Sequence, residues 1–399
     1  MFAVVELVLE QPLCHTFAGT EAQTEAEQTL SNRGDINPDD KASYAGSKCR
    51  SDQLAALRIL DANLNRATEG LRVVEDYCRF ALDDLHLSRR CKEVRHDLIS
   101  ALSSVSTPAL AAAREAQQDV GAEISTPQEG DRRSLAHIAA ASWQRVQQAL
   151  RVIDECVKLL APGAATAVER LRYQSYTLAK ACLTAQESDQ RLLAAKLQVL
   201  MDGAKSERSF IRRVNGLIAS GVSVIQLRDK RLADRKLLSR GKLLRQLIDE
   251  AGGGVLFIMN DRPDLAVLSR ADGLHIGQDE LTLKDARLIT GPQMLIGVST
   301  HSIEQARQAV LDGANYIGCG PTFASSTKEF ETFPGLAYLQ QVAAEISLPA
   351  FAIGGITLKN VPDVVATGIK RIAVSSAVMT AEDRSEAVHA LLAALGEKH

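Results

Sequence analysis

Two hydrophobic periods, each confined to its own part of the chain, predict an all-helical domain followed by an α/β domain of the (β/α)8 TIM barrel type. Between residues 53 and 188, apolar residues recur at three- and four-residue steps. From 189 to 399, short apolar runs alternate with helical stretches, the pattern of a parallel sheet. A length of 399 residues accommodates two domains. Hydrophobic residues make up 46% and charged residues 24%, the balance of a globular chain rather than a fibrous or disordered one. A net charge of −3 argues against a general polyanion binder, and 4% aromatics argue against stacking on single-stranded nucleic acid. No apolar run reaches the ~18 residues of a membrane span. Small molecules are the expected partners, with no nucleic acid and no membrane; oligomeric state is not legible.

Residues 1–52 form the first zone. The stretch 16–52 is polar, rich in Thr, Ser, Gly, Asn, Asp and Gln, and without a sustained period, so it is expected to be a disordered leader or an upstream translation artefact. The apolar start, MFAVVELVLEQPLC, contains Glu6 and Glu10 and lacks a basic segment, which makes it a poor signal peptide. The 7 cysteines, at 14, 49, 78, 91, 156, 182 and 319, are odd in number and contain no CxxC pair. That excludes the usual zinc spacings and predicts reduced thiols in the cytoplasm.

The helical zone, 53–188, opens with Leu54–Leu82, where Leu57, Leu60, Leu64, Ala67, Leu71, Val74, Cys78 and Ala81 mark one apolar face. Further helices are expected at Leu87–Leu102, Ser134–Leu160 and Ala165–Ala185, the last two separated by Pro162-Gly163. A looser segment covers 105–133. A repeat of the form R-x-x-x-x-L-R-V-[VI]-[ED] runs from Arg66 and again from Arg145. It is expected to form two amphipathic helices in pseudo-symmetry; a face carrying Asn63, Arg66 and Glu69 also suits a polar pocket.

Eight strands are expected in the barrel zone, at 197–201, 222–227, 255–259, 273–276, 294–298, 315–319, 349–353 and 371–374. Eight strand–helix units in this length close a barrel; an open doubly wound sheet is the alternative, but no GxGxxG follows the first strand. Barrels carry chemistry at the C-terminal ends of strands. Here those ends read Gln226-Leu227-Arg228-Asp229-Lys230, Asn260-Asp261, Gln278-Asp279-Glu280, Ser299, Ser325-Ser326-Thr327-Lys328, Gly354-Gly355 and Ser375-Ser376. Gly-Gly and Ser-Ser after the last two strands suit a phosphate held by backbone N–H groups. Arg228, Lys230 and Lys328, with Asp261 and Asp279 or Glu280, are the set that a Mg²⁺-bound pyrophosphate requires.

The motifs QLRDK, NDRPDLA, GLHIGQDEL, IGVSTHS, YIGCGPTFASSTK and AIGGI stand in the order found in thiamine-phosphate synthases. Residues 195–385 therefore resemble that family, which joins a pyrimidine-methyl pyrophosphate to a thiazole phosphate and releases pyrophosphate. The resemblance implies that Gln226, Leu227, Arg228, Asp229, Lys230, Asn260, Ser299 and Lys328 hold the pyrimidine substrate. Arg228, Lys230 and Lys328 are then the catalytic cations. Ser325, Ser326, Thr327, Gly355, Ser375 and Ser376 hold the thiazole phosphate. Asp261 matches a magnesium ligand, and the family's second ligand falls at Glu280, with Asp279 as the alternative. Departures are Glu280 in place of Asp, Ser325-Ser326-Thr327 in place of Thr-x-Thr, and Ser375 where an aliphatic residue is common. Other functions considered are a thiazole tautomerase-like paralogue and a non-catalytic phosphate-ligand sensor. The helical zone resembles a domain fused to, or encoded near, this synthase in some bacteria; a pyrimidine-phosphate kinase and an interaction scaffold are both open, and 53–188 contains no P-loop.

Overall fold

The computed structural model describes residues 38–115, 132–324 and 333–396. Helix α1 spans Pro38–Phe80 and so begins inside the zone assigned to a leader. Residues 38–52 are helical, which corrects the expectation of disorder there. Their polar composition argues against a buried face, not against a helix, and Pro38 stands at the first helical position, where its missing N–H costs nothing. Residues 1–37 lie outside the described residues.

Helix α2 (Leu85–Ala101) is capped by Asp84, whose carboxylate accepts from the Leu87 N–H at 2.7 Å. A short α3 (Thr107–Ala113) lies in the looser segment. Helix α4 (Leu135–Leu160) is capped by Ser134 and is joined through a single 3-10 turn at Pro162–Ala164 to α5 (Ala165–Arg191). Leu60, Leu71, Leu87, Leu98, Leu150, Ile153 and Leu171 are fully buried between these helices. Three free thiols from α1, α2 and α5 meet in this core: the sulfurs of Cys78, Cys91 and Cys182 lie within 4.8 Å of one another. Their wide sequence separation hides the cluster from any spacing rule.

The barrel strands are β1 (Leu197–Met201), β2 (Val224–Leu227), β3 (Leu256–Asn260), β4 (Gly273–Ile276), β5 (Leu295–Thr300), β6 (Tyr316–Cys319), β7 (Ala350–Ile353) and β8 (Ile372–Val374). They close in sequence order, every neighbouring pair parallel, with β8 returning to β1. All eight expected strands are present. Connecting helices include α6 (Glu207–Ala219), α7 (Asp234–Glu250), α8 (Pro263–Leu268), α9 (Leu283–Thr290), α10 (Ile303–Asp312), α11 (Gly335–Glu345), α12 (Val361–Ala366), α13 (Ser376–Met379) and α14 (Arg384–Ala394). Alternation along the strands separates two cores. Val199, Ile225, Leu227, Phe257 and Met259 belong to the layer packed with the helices, whereas Val224, Ile258, Leu295, Tyr316, Phe351 and Ala373 fill a separate core with Leu192 and Ala195.

Ala56–His399 forms one compact unit, and the expected boundary at 188–189 falls inside α5, so no gap in packing separates helical zone and barrel there. Helix α5 packs on α10 and α2 on α11, and the hydrogen bonds that join helical domain and barrel fall near the N-terminal ends of the strands. Asp84 accepts from the Ser347 N–H at 2.9 Å and its hydroxyl at 3.0 Å, just before β7. Asn315, just before β6, donates to Ser188 at 3.0 Å. Lys180 donates to the Asp312 carbonyl at 2.6 Å, and Arg191 to the Gln293 carbonyl at 2.9 Å. Among the described residues no helix is long and apolar enough to cross a membrane.

Candidate active site

A cavity of about 570 Å³ opens at the C-terminal ends of the strands, and its wall is built from the strand-end motifs. An amide chain crosses three neighbouring strands at the inward-facing positions. Gln198 on β1 donates to Gln226 on β2 at 2.8 Å, and Gln226 donates to Asn260 on β3 at 2.9 Å. The chain fixes both inner amides and leaves the Asn260 NH₂ facing no described acceptor. Gln198 was not among the expected site residues; a glutamine inside the apolar run LQVLM is the signal that marks it.

On the next strand, His275 of β4, the register partner of Asn260, is hydrogen-bonded through Nε2 to the Ser299 hydroxyl at 2.9 Å and through Nδ1 to Tyr316 at 3.2 Å. Burial pushes the imidazole down to about 4, and the nearby Arg228 charge acts in the same direction. His275 is therefore neutral at pH 7 and orients Ser299. Tyr316, also absent from the sequence expectations, is buried, and burial raises its pKa so that it keeps its proton.

The loops after β2, β3 and β4 bring the charges together. Asp261 adopts φ +61°, a left-handed conformation that Asp tolerates better than most residues, and its N–H donates to the His275 carbonyl at 2.8 Å. The Lys230 ammonium lies 3.1 Å from Asp261 and 3.2 Å from Glu280. Its pKa is raised, first by the hydrogen bond to Asp261. The two carboxylates thus share one cationic centre. Asp279 is exposed and makes no ion pair among the described residues. Arg228 lines the same cavity and has no described counter-ion.

Other expected site residues have different surroundings. The Asp229 carboxylate accepts from the N–H groups of Gly203, Arg231 and Leu232 at 3.1, 2.9 and 3.2 Å, so it shapes the loop. Leu227 is fully buried in the layer beneath the helices, which leaves only its backbone for a ligand. Ser375 lines the cavity, but its hydroxyl donates to the Leu200 carbonyl at 3.0 Å. Gly355 and Ser376 line the cavity beside it. Gly355 has φ +66°, and a Cβ there would meet the Ala324 carbonyl at 2.6 Å and Phe323 at 2.9 Å. Bare backbone is required where the β7 loop passes the β6 loop. Ser325, Ser326, Thr327 and Lys328 lie outside the described residues.

A closed barrel whose mouth gathers Arg228 without a described counter-ion, carboxylates converging on Lys230 and oriented amides defines an enzyme of phosphorylated small molecules. Residues 197–378 match the family described as thiamine monophosphate synthase, and residues 58–181 match the ThiD2 family. A thiamine-phosphate synthase of Rhodopirellula baltica is 44% identical over 333 residues, covering 81% of this chain and 88% of that one. Another, from Nostoc punctiforme, is 39% identical over 343 residues, covering 86% and 95%. Among solved structures, thiamine phosphate pyrophosphorylase from Pyrococcus furiosus is 34% identical, covering 51% of this chain and 96% of that one, with a TM-score of 0.45. The chain belongs to the thiamine-phosphate synthase family, with a ThiD2 domain at its N-terminal side, and it is a transferase of thiamine biosynthesis.

Proposed function

We propose that the mouth of the barrel joins pyrimidine-methyl pyrophosphate to thiazole phosphate, with Asp261 and Glu280 as the ligands of an essential Mg²⁺. The observation that carries this reading is the position of Lys230. One ammonium lies 3.1 Å from Asp261 and 3.2 Å from Glu280, so both carboxylates already face a single positive centre. Hard carboxylate oxygens are the ligands Mg²⁺ selects, and the bound ion neutralises phosphate charge.

The remaining roles follow from charge and donor type. The C–O bond to the pyrimidine CH₂ breaks, and its electron pair leaves on pyrophosphate. Arg228, Lys230 and Lys328 receive that growing charge. The aminopyrimidine ring stabilises the cation left behind, oriented by the Gln226–Asn260 amides and by Ser299. The thiazole nitrogen lone pair then forms the new C–N bond. A neutral aromatic nitrogen needs no general base, which suits a His275 held neutral by burial. Backbone N–H groups at Gly355 and Ser376 hold the thiazole phosphate, whose charge stays constant. Reaction and substrates are those of the cytoplasm, where free buried thiols such as Cys319 stay reduced.

Calorimetric titration of Mg²⁺ into the protein with pyrophosphate tests the ligand set. Asp261→Asn and Glu280→Gln are each expected to weaken Mg²⁺ binding, while Asp279→Asn leaves it unchanged. Retention in Glu280→Gln together with loss in Asp279→Asn would move the second ligand to Asp279.

A further inference from the structure

Three thiols meet in the core of the helical domain, away from the barrel mouth. Cys78 lies in the last turn of α1, Cys91 in the middle of α2 and Cys182 toward the C-terminal end of α5. Each continues the apolar face of its helix at three- and four-residue steps. Leu71 and Val74 precede Cys78, Leu87 and Val94 flank Cys91, and Leu178 and Ala185 flank Cys182. Helices α2 and α5 pack on each other, so three helices deliver one sulfur each. All three cysteines are 0–1% exposed.

The sulfurs of Cys78 and Cys182 are 3.3 Å apart, and all three sulfurs lie within 4.8 Å of one another. A point between them is within ~2.8 Å of each, against ~2.3 Å for a metal–thiolate bond, so a shift of about half an ångström per sulfur closes the difference. Hydrogen bonds from Cys182 and then Cys91 hold the Cys78 thiol well below its ordinary value, against burial and the Glu75 charge. Cys182 is pushed well up, first by its hydrogen bond with Cys78. The cluster thus holds one thiolate that accepts from neighbouring thiols, and a cation can take the place of their protons. Among the described residues no histidine or carboxylate joins the three sulfurs in such a group. The donor set is sulfur alone, and burial keeps water out of it.

We propose that Cys78, Cys91 and Cys182 are the ligands of a buried Cu⁺ site that ties α1, α2 and α5 together. Soft thiolates select Cu⁺, Zn²⁺ and iron–sulfur clusters. Structural Zn²⁺ is almost always four-coordinate, and here neither a fourth side chain among the described residues nor water is at hand. Iron–sulfur clusters take four thiolates. Cu⁺ is a d¹⁰ ion that three sulfurs satisfy. Three Cu–S bonds form, and the protons on Cys91 and Cys182 leave to solvent. No electron is transferred, because the metal enters as Cu⁺ and the thiols are already reduced. The ligands converge only in the folded domain, so the bound ion stabilises the fold.

The reduced full-length protein is titrated without oxygen with Cu⁺ delivered from a coloured Cu⁺ chelator and, separately, with Zn²⁺. One Cu⁺ per chain should be held against the chelator, X-ray absorption should show three sulfur neighbours, and the melting temperature should rise. Cys91→Ala should leave two sulfur neighbours. Cys78→Ala combined with Cys182→Ala should weaken Cu⁺ by more than the ~10–100-fold that a group supporting a ligand is worth. Cys156→Ser, at a half-buried thiol outside the cluster, should bind as the unsubstituted protein does. The sulfur count of the unsubstituted protein decides the matter whether or not the variants fold. No retained Cu⁺, fewer than three sulfur neighbours in the unsubstituted protein, equal retention by a folded double variant, or displacement of Cu⁺ by Zn²⁺ would overturn the proposal.

Discussion

The two ends of the barrel are built on opposite principles. At the C-terminal mouth, Arg228 has no described counter-ion, Asp261 sits in a left-handed conformation, and Lys230 is shared between two carboxylates. At the N-terminal base, polar side chains are matched across the junction: Asp84 with Ser347, Asn315 with Ser188, Lys180 with the Asp312 carbonyl. Unsatisfied charge and local strain are kept where a ligand completes them, and paired groups are kept where the helical domain docks. The contrast predicts that mouth substitutions change turnover with little effect on stability, and that base substitutions do the reverse.

The largest separation is expected at Asp261. Asp261→Asn keeps the left-handed backbone accessible and removes a full charge, so turnover should fall by about 10²–10³ with the melting temperature almost unchanged. Steady-state kinetics and a thermal melt on one preparation check both halves. Lys328→Ala should lose turnover on a similar scale, about 10²–10³, if that lysine stabilises departing pyrophosphate.

His275 extends the contrast to pH. Its ordinary value is 6.5, and burial lowers it to about 4 in the folded chain. The unfolded chain therefore binds a proton that the folded chain refuses. This contribution to stability is complete above about pH 6.5 and is lost as pH falls through about 4, on the order of 3 kcal/mol. Urea midpoints measured across that window should fall more steeply for the unsubstituted protein than for His275→Gln. Parallel slopes would mean that the imidazole is not held neutral.

Asp84 has a smaller effect of the opposite kind. Asp84→Ala strands the Leu87 and Ser347 N–H groups and should cost about 1–3 kcal/mol of stability. Burial raises the Asp84 pKa, so its charge is itself disfavoured. Asp84→Asn, which keeps one acceptor and removes the charge, should cost less than Asp84→Ala. Gly355 bears on the phosphate end of the mouth. Gly355→Val would press on Phe323 and Ala324, so it should raise the Michaelis constant for thiazole phosphate by moving the β6 loop. An effect confined to the pyrimidine substrate would reverse the two anion sites.

The eight strands were legible because a buried parallel strand reads as a short apolar run between turns, whatever its neighbours. Strand ends were legible for the same reason, and with them Asn260, Asp261 and Ser299. Direction of side chains within a motif was not. Asp229 stands between Arg228 and Lys230 in the sequence, yet its carboxylate turns back to three backbone N–H groups. Leu227 belongs to the outer core by simple alternation from Gln226. The start of α1 was missed because polarity marks an exposed face in a helix as readily as it marks disorder. Docking at the base was invisible, since nothing local relates Asp84 to Ser347. Ser188, near the end of α5, is fully buried against Asn315, so a barrel fragment beginning near Ser188 loses α5, and one beginning at Ala165 keeps it.

The division of labour between mouth and base is tested most directly by the turnover number of Asp84→Ala combined with Asn315→Ala, measured well below its melting temperature. The account predicts a lower melting temperature with a turnover number within about twofold of the unsubstituted protein, because the base carries stability alone. A roughly tenfold or greater loss of turnover in the folded variant would contradict it, and would mean that the helical domain acts on the chemistry through the barrel.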